Sequence, residues 1–404
     1  MQLAYNNKFK PQNNSFVVKL KRNATKLSAI VVFLVVVVVL IVNTSFSKAR
    51  TAGATDVSTK LHSYYANDIP VKNALIFPSI EHAPLLREMG VDALFNTKVD
   101  AQGKKLYLMT EAATEDSEAS LNRKFESDDS TSQLLHVKKS FLEHGKLKYT
   151  GSSSPDVVVV TLVDFEKYEQ TQLIKIVQNR VNYAQKHNYG IYVRWTQEFL
   201  PMLSVHNAKY DWAKLYALRA AMYAFPNAKY FWYLNEEAMI MRYDIDMVKY
   251  LLNPKVLDPI MLRNQPIVPP NGVIRTFKNT DSADVDLVVT QAGQDINTDS
   301  FILKNTFLSK ALVEFWNDET FKSYHNFPRL AESALTHILQ WHPKFLAHTA
   351  IVPPRTIAGL DSDIAVNDDI HYSKGDFVVV FRDCEAKQSC SKEIDQYWSI
   401  AESK

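Results

Sequence analysis

The sequence predicts an α/β domain built on a parallel sheet, set behind one N-terminal helix that crosses a membrane. Three observations carry this. Leu27–Val42 is a Pro-free apolar run of 16 residues broken only by Ser28, the stretch from Val157 to Leu234 alternates strand-like runs with helical repeats, and its last run ends in Asn235-Glu236-Glu237. Strand, helix, strand, helix, strand is the order of a sheet whose neighbours are joined by right-handed crossovers. Ligands of such sheets bind outside the C-terminal ends of the strands.

With Asn43 to Phe46 the apolar run reaches 20 residues, and at about 1.5 Å per residue it covers the roughly 30 Å of a hydrocarbon core. Residues 1–26 hold Lys8, Lys10, Lys19, Lys21, Arg22 and Lys26 and no acid, so the positive-inside rule keeps this tail cytosolic and sends the rest of the chain across. Residues 27–46 are then a signal anchor in type II topology. A cleaved signal peptide competes with this reading, because Ala52-Gly53-Ala54 resembles a cleavage site, but it lies ten residues past the run. A short span fits the thinner membranes of the early secretory pathway and points to the Golgi.

With 46% hydrophobic and 11% aromatic residues among 404, the chain has ample material for a buried core. The tail holds six of the 46 basic residues and none of the 44 acidic ones, so the remainder is acidic by four and nucleic-acid binding gains no support. No G-x-G-x-x-G and no Walker loop occurs, which argues against dinucleotide and P-loop enzymes. Cys384 and Cys390 both fall on the lumenal side, where oxidising conditions favour a small disulfide loop over two free thiols.

Residues 47–135 read as a stem and N-terminal lumenal extension, with short runs at Ala74–Phe77 and Lys105–Met109 and a polar linker from Glu111 to Gln133. The main domain is placed at 136–404. Asp156–Val163 is a β-branched run suited to a strand buried on both faces. Tyr168–His187 is helical, with Leu173, Ile174, Val177, Val181 and Ala184 on one side. Gly190 opens a strand through Trp195, and Trp212, Leu215, Leu218, Arg219 and Met222 recur at helical spacing until Phe225-Pro226-Asn227 stops the helix. Tyr230–Leu234 is an aromatic strand, Val285–Thr290 a further strand, Phe307–Trp316 a helix and Ala331–Pro343 an amphipathic helix. Asp295–Phe301 reads locally as a polar loop.

The chemistry gathers at the end of the aromatic strand. Asn235, Glu236 and Glu237 offer the oxygen ligands that a hard divalent cation wants beside a diphosphate, although a strand entering a solvated loop has the same look. Asp164, just past the first strand, can meet a nucleotide, and Lys214 can pair with phosphate. His337 and His342 lie on or beside an apolar helix face, where histidine more often serves structure than catalysis.

Trp212, Lys214, Arg219, Pro226, Trp232 and Asn235-Glu236-Glu237-Ala238 together resemble the fungal galactosyl- and mannosyltransferases of glycosyltransferase family 34, whose members carry Asp-x-Asp-Ala at the last position. Asn297, Ser300 and Phe301 match a family stretch Asn-x-Gly-Ser-Phe that lines the sugar site, with Asp299 standing in place of Gly. Glu332 falls where members have a Glu-Gln-Asp-like run. His136–Leu147 and Ile176–His187 are similar to one branch, the α-1,6-mannosyltransferase subunits of the fungal Golgi mannan polymerase complex.

The resemblance implies a GT-A-type (Rossmann-like) glycosyltransferase domain, GDP-mannose as donor, Mn2+ as cofactor, an α-1,6-mannan backbone on N-glycans as acceptor, and other mannosyltransferase subunits as partners. It gives Glu237, Asn297 and Glu332 catalytic roles, Asp164, Lys214, Asn235 and Ser300 contacts with the nucleotide sugar, and Asn235, Glu236 and Glu237 the metal. The chain departs from the pattern at Asn235 and at Val380, where Gly375-Asp376-Phe377-Val378-Val379-Val380-Phe381-Arg382-Asp383-Cys384 aligns with Gly-Asp-Phe-x-x-His-Phe-x-Gly-Cys. Two usual metal ligands are thereby absent. A non-catalytic assembly subunit is the second hypothesis, and a lectin-like module using Trp232 and Tyr233 the third.

Overall fold

The computed structural model describes residues 69–108, 128–268, 272–293, 295–362 and 368–403. All belong to the compact unit Tyr64–Lys404. The tail 1–26, the anchor 27–46 and the first part of the stem lie outside the described residues. Among those described, no helix is long and apolar enough to cross a membrane.

The core is a seven-stranded mixed sheet. In chain order its strands are β1 (Leu75–Ile76), β2 (Val157–Val163), β3 (Gly190–Trp195), β4 (Tyr230–Leu234), β6 (Leu287–Ala292), β7 (Asp295–Lys304) and β8 (Thr349–Val352), arranged β8-β6-β7-β4-β2-β3-β1. β5 (Ala238–Ile240) leaves this sheet and pairs with β10 (Val378–Val380), which pairs with β9 (Gly359–Leu360). β1 to β4 are mutually parallel, as the alternating pattern predicts. β7 runs antiparallel to both β4 and β6. The segment expected as a polar loop at 295–301 is therefore most of a strand, because its polar side chains find partners inside the sheet.

All seven residues of β2 are buried, and they sort by parity. Val157, Val159 and Val163 pack with Leu173, Ile176 and Val181 of α2 (Gln170–His187), while Val158, Val160 and Leu162 belong with Leu215 and Leu218 of α3 (Ala213–Ala224). Burying each such side chain is worth roughly 1.5–3 kcal/mol, so the sheet is clamped from both faces. α1 (Asp128–His144) adds Leu134, Val137 and Phe141 to the α2 side, as does α7 (Cys390–Glu402) with Ile394 and Tyr397. α4 (Phe307–Trp316) and α5 (Leu330–Trp341) cover the α3 side.

Two boundaries move. β1 hydrogen-bonds to β3 through Ile191 and Tyr192, so the domain begins well before residue 136. Asp128–Gln133, expected in a linker, starts α1.

Candidate active site

β2 and β4 are neighbours and parallel, so Asp164 and Asn235–Glu237 emerge side by side at one edge of the sheet. They line a cavity of about 560 Å³ together with Lys214 and Glu332. Asp164 folds the turn that follows β2: its Oδ1 accepts from the backbone N–H groups of Glu166 (2.8 Å) and Lys167 (3.1 Å) and from Gln197 Nε2 (2.6 Å). Its own N–H donates to Glu236 Oε2 at 2.9 Å. The two chain segments are thereby locked to each other.

The loop carrying Glu236 and Glu237 is held from beneath by α2. Arg180, fully buried, donates from Nη2 to the carbonyls of Asn235 and Ala238, both at 2.7 Å. Asn179 accepts from Ile240 N–H (3.0 Å) and donates to the Ile240 carbonyl (2.9 Å). Among the described residues no carboxylate pairs with the Arg180 guanidinium, and burial pushes it down to about 9, with Glu236 among the groups opposing the shift.

One wall of the cavity is an acidic cluster around a single ammonium. Lys167 Nζ bonds Glu237 Oε1 and Glu385 Oε1 and lies 3.6 Å from Glu236 Oε1. Glu385 comes from α6 (Cys384–Lys387), which is tied to α7 by the Cys384–Cys390 disulfide. Cys390 Sγ rests 3.7 Å from Glu237 Oε1, and Tyr168 Oη donates to the same oxygen at 3.4 Å. Burial pushes the Glu236 carboxyl up to about 8 against the pull of Lys167, and raises Glu237 for the same reason. Burial disfavours the Lys167 ammonium, but Glu236 and Glu237 outweigh it and hold its pKa above the ordinary value.

The opposite wall is made of matched pairs. Arg382 Nη2 bonds Glu332 Oε1, and Lys214 Nζ donates to Asp211 Oδ1 (2.6 Å) and Thr298 Oγ1 (3.1 Å). Burial lifts Glu332 to about 7, with Asp299 adding to the rise and Arg382 opposing it. Between the walls, Asp299 Oδ1 accepts from Asn235 Nδ2 at 3.1 Å, and Asn235 N–H donates to the Asp299 carbonyl at 2.7 Å. The antiparallel course of β7 produces this contact.

Several sequence-predicted roles meet a different geometry. Asn297 and Ser300 are fully buried and do not line the cavity. Asn297 Oδ1 accepts from the N–H of Asp299 (2.8 Å), and Ser300 Oγ accepts from Trp232 Nε1 (3.0 Å), so both shape the strand behind the wall. Glu332 reaches the cavity, but one of its oxygens is held by Arg382. His337 and His342 pack against aromatic rings, away from the cavity.

The donor type suits a hard cation, since carboxylate oxygens of Glu236, Glu237 and Glu385 surround Lys167 Nζ. Among the described residues, however, the trio whose ligand atoms already lie within 4.8 Å of one another is Glu237 with Cys384 and Cys390, whose sulfurs are joined in the disulfide. The place between the three carboxylates is filled by the Lys167 ammonium. Asn235 is not aimed there, since its Oδ1 accepts from the Glu236 N–H at 2.8 Å. Val380 is a buried apolar residue of β10, paired with Ala238. Sequence reasoning missed Lys167, Asn179, Arg180, Arg382 and Glu385 as site residues. The departures at Asn235, Asp299 and Val380 were the visible signals of a change here.

The cavity, rimmed by clustered carboxylates, lies at the carboxyl edge of the α/β sheet, where ligands of such sheets bind. Residues 153–391 match the profile of the galactosyl transferase GMA12/MNN10 family, and the chain belongs to that family. The Saccharomyces cerevisiae protein named "Probable alpha-1,6-mannosyltransferase MNN11" is 39% identical over 394 residues, covering 93% of this chain and 90% of its own. A Schizosaccharomyces pombe protein named as an uncharacterized alpha-1,2-galactosyltransferase is 29% identical over 257 residues, 62% of this chain and 76% of its own. A glycosyltransferase involved in glycosylation of the major capsid of PBCV-1 overlays with a TM-score of 0.40 at 9% identity, covering 60% of this chain and 100% of that one.

Proposed function

We propose that the chain is a type II Golgi membrane glycosyltransferase of GT-A type that transfers mannose from GDP-mannose to the α-1,6-mannan backbone of N-glycans, with retention of configuration. The cavity carries this reading. It gathers eight carboxylates against five cationic side chains at the edge where β4 ends. A diphosphate entering that surplus of negative charge needs positive charge brought in with it. A divalent ion such as manganese, held by Glu237 and its neighbours, would supply that charge and stabilise the departing diphosphate.

The remaining work falls to the chain's own residues. Lys214 and Arg382 present cations on the wall facing the carboxylates, where they can hold the donor's anionic groups. Arg180 and Asn179 keep the Glu236–Glu237 loop from moving. Mannose and the α-1,6 linkage are supported by the name of the yeast relative that covers nearly the whole chain. Sister mannosyltransferase subunits in a hetero-oligomeric complex are the proposed partners.

A non-catalytic subunit is the second reading, favoured by Val380 and by the Asn235 amide turned away from the carboxylates. The deciding assay uses the full-length chain in detergent, with GDP-mannose and α-1,6-mannobiose, with and without Mn2+. Metal-dependent turnover that drops at least about 100-fold in Glu237→Ala supports the enzyme. Donor binding without turnover moves the weight to the subunit reading, and absence of both overturns the donor assignment.

A further inference from the structure

Lys167 is placed by design of the local backbone. Asp164 caps the turn by accepting from the Lys167 N–H, which fixes where the side chain starts, and the ammonium ends among three carboxylates from two separate segments. An ordinary surface ion pair joins two charges and contributes little. Here one ammonium meets Glu236, Glu237 and Glu385 inside the cavity, with its side chain only 24% exposed and the Tyr168 ring 5.2 Å away. These are hard oxygen donors, the same type that a divalent ion requires. An ion and the ammonium cannot share one point, because like charges repel steeply at contact distance.

We infer that Lys167 is the resident cation of this site, holding Glu237 and Glu385 in place while no divalent ion is bound and competing with the ion for the same oxygens. The inference deepens the metal-assisted reading above and rests on it. Divalent-ion affinity is set low in the native chain by this internal competitor. Ion binding swings the Lys167 side chain out of the cluster, and the flexible four-carbon stem permits this without moving the backbone.

The test is direct ion binding to the full-length protein, followed by the free Mn2+ signal in electron paramagnetic resonance, with the metal alone and no donor. Lys167→Met should bind Mn2+ about ten-fold more tightly than the native chain, since the competitor is gone. Lys167→Arg should stay close to native, and Glu237→Gln in the Lys167→Met background should erase the gain. A folded Lys167→Met that binds Mn2+ no more tightly overturns the inference, as does a gain that survives Glu237→Gln. If Lys167→Met does not fold, acylation of Lys167 in the native protein decides, read by peptide mass spectrometry. Labelling that rises several-fold with Mn2+ supports displacement, and labelling that stays flat at millimolar Mn2+ overturns it. Since no step depends on turnover, failure here is distinguishable from failure of the mannosyltransferase reading.

Discussion

The two walls of the cavity hold charge in opposite ways. On the α5 side two cations each have their own acid, Arg382 with Glu332 and Lys214 with Asp211. On the side of the β2 and β4 ends a single Lys167 serves three acids. Matched buried pairs fix geometry, because removing either partner strands the other in a poor solvent. A surplus of carboxylates leaves a position that can change occupants. One wall is therefore built to stay and the other to exchange.

The most damaging way to break this contrast is Arg180→Met, which removes the support of the acidic wall alone. The buried Ala238 carbonyl and the part-buried Asn235 carbonyl, which keeps the Ala238 N–H as a donor, each lose a hydrogen bond, so stability should fall by roughly 1–4 kcal/mol in chemical denaturation. A loss below about 0.5 kcal/mol would show that the loop stands without its platform. Next is Arg382→Met on the matched wall, expected to cost about 3 kcal/mol by leaving Glu332 buried alone. If it costs nothing, the pair does not fix this wall.

A smaller effect sharpens the exchanging wall. Asn235→Asp should lower stability by about 1 kcal/mol by setting a second carboxylate against Asp299 in place of the amide that donates to it, and Asp299→Asn should cancel most of that loss in a double-mutant cycle followed by chemical denaturation. Additive effects would separate the two residues. The smallest is pH. Glu332 has a folded pKa of about 7 against an ordinary 4.5, so its contribution to stability is full below 4.5 and is lost as pH rises through about 7. Melting temperature should decline across that window, where Glu236, pushed up to about 8, also loses its contribution, and Glu332→Gln should remove only the Glu332 share of the decline.

The sheet from β2 to β4 was legible because Val157–Val163 and Tyr230–Leu234 are buried on both faces and leave continuous apolar runs. α4 was legible in full for a related reason: its apolar face has a clean helical period. β7 was hidden, since Asn297, Thr298 and Ser300 are polar yet fully buried, and only the fold supplies their partners. β1 was hidden by its two-residue length. In the site, Asp164, Lys214 and the Glu236–Glu237 loop were readable from their place at strand and helix ends. Lys167 and Arg382 were not, because their meaning lies in acids distant along the chain. Asn297 and Ser300 carried a family motif to the right strand, but both are fully buried and outside the cavity lining, whereas Asp299 lines it.

The disulfide has a bearing on how the protein is handled. Cys384 and Cys390 are six positions apart, and their bond closes into a ring the segment that brings Glu385 to Lys167, with one sulfur resting against Glu237. A thiol reductant added to keep a preparation monodisperse would open that ring and release one of the three acids from its post. Ion titrations and turnover measured in dithiothreitol therefore report on a different molecule from the disulfide-bonded one, and the buffer belongs among the variables of every experiment on this chain.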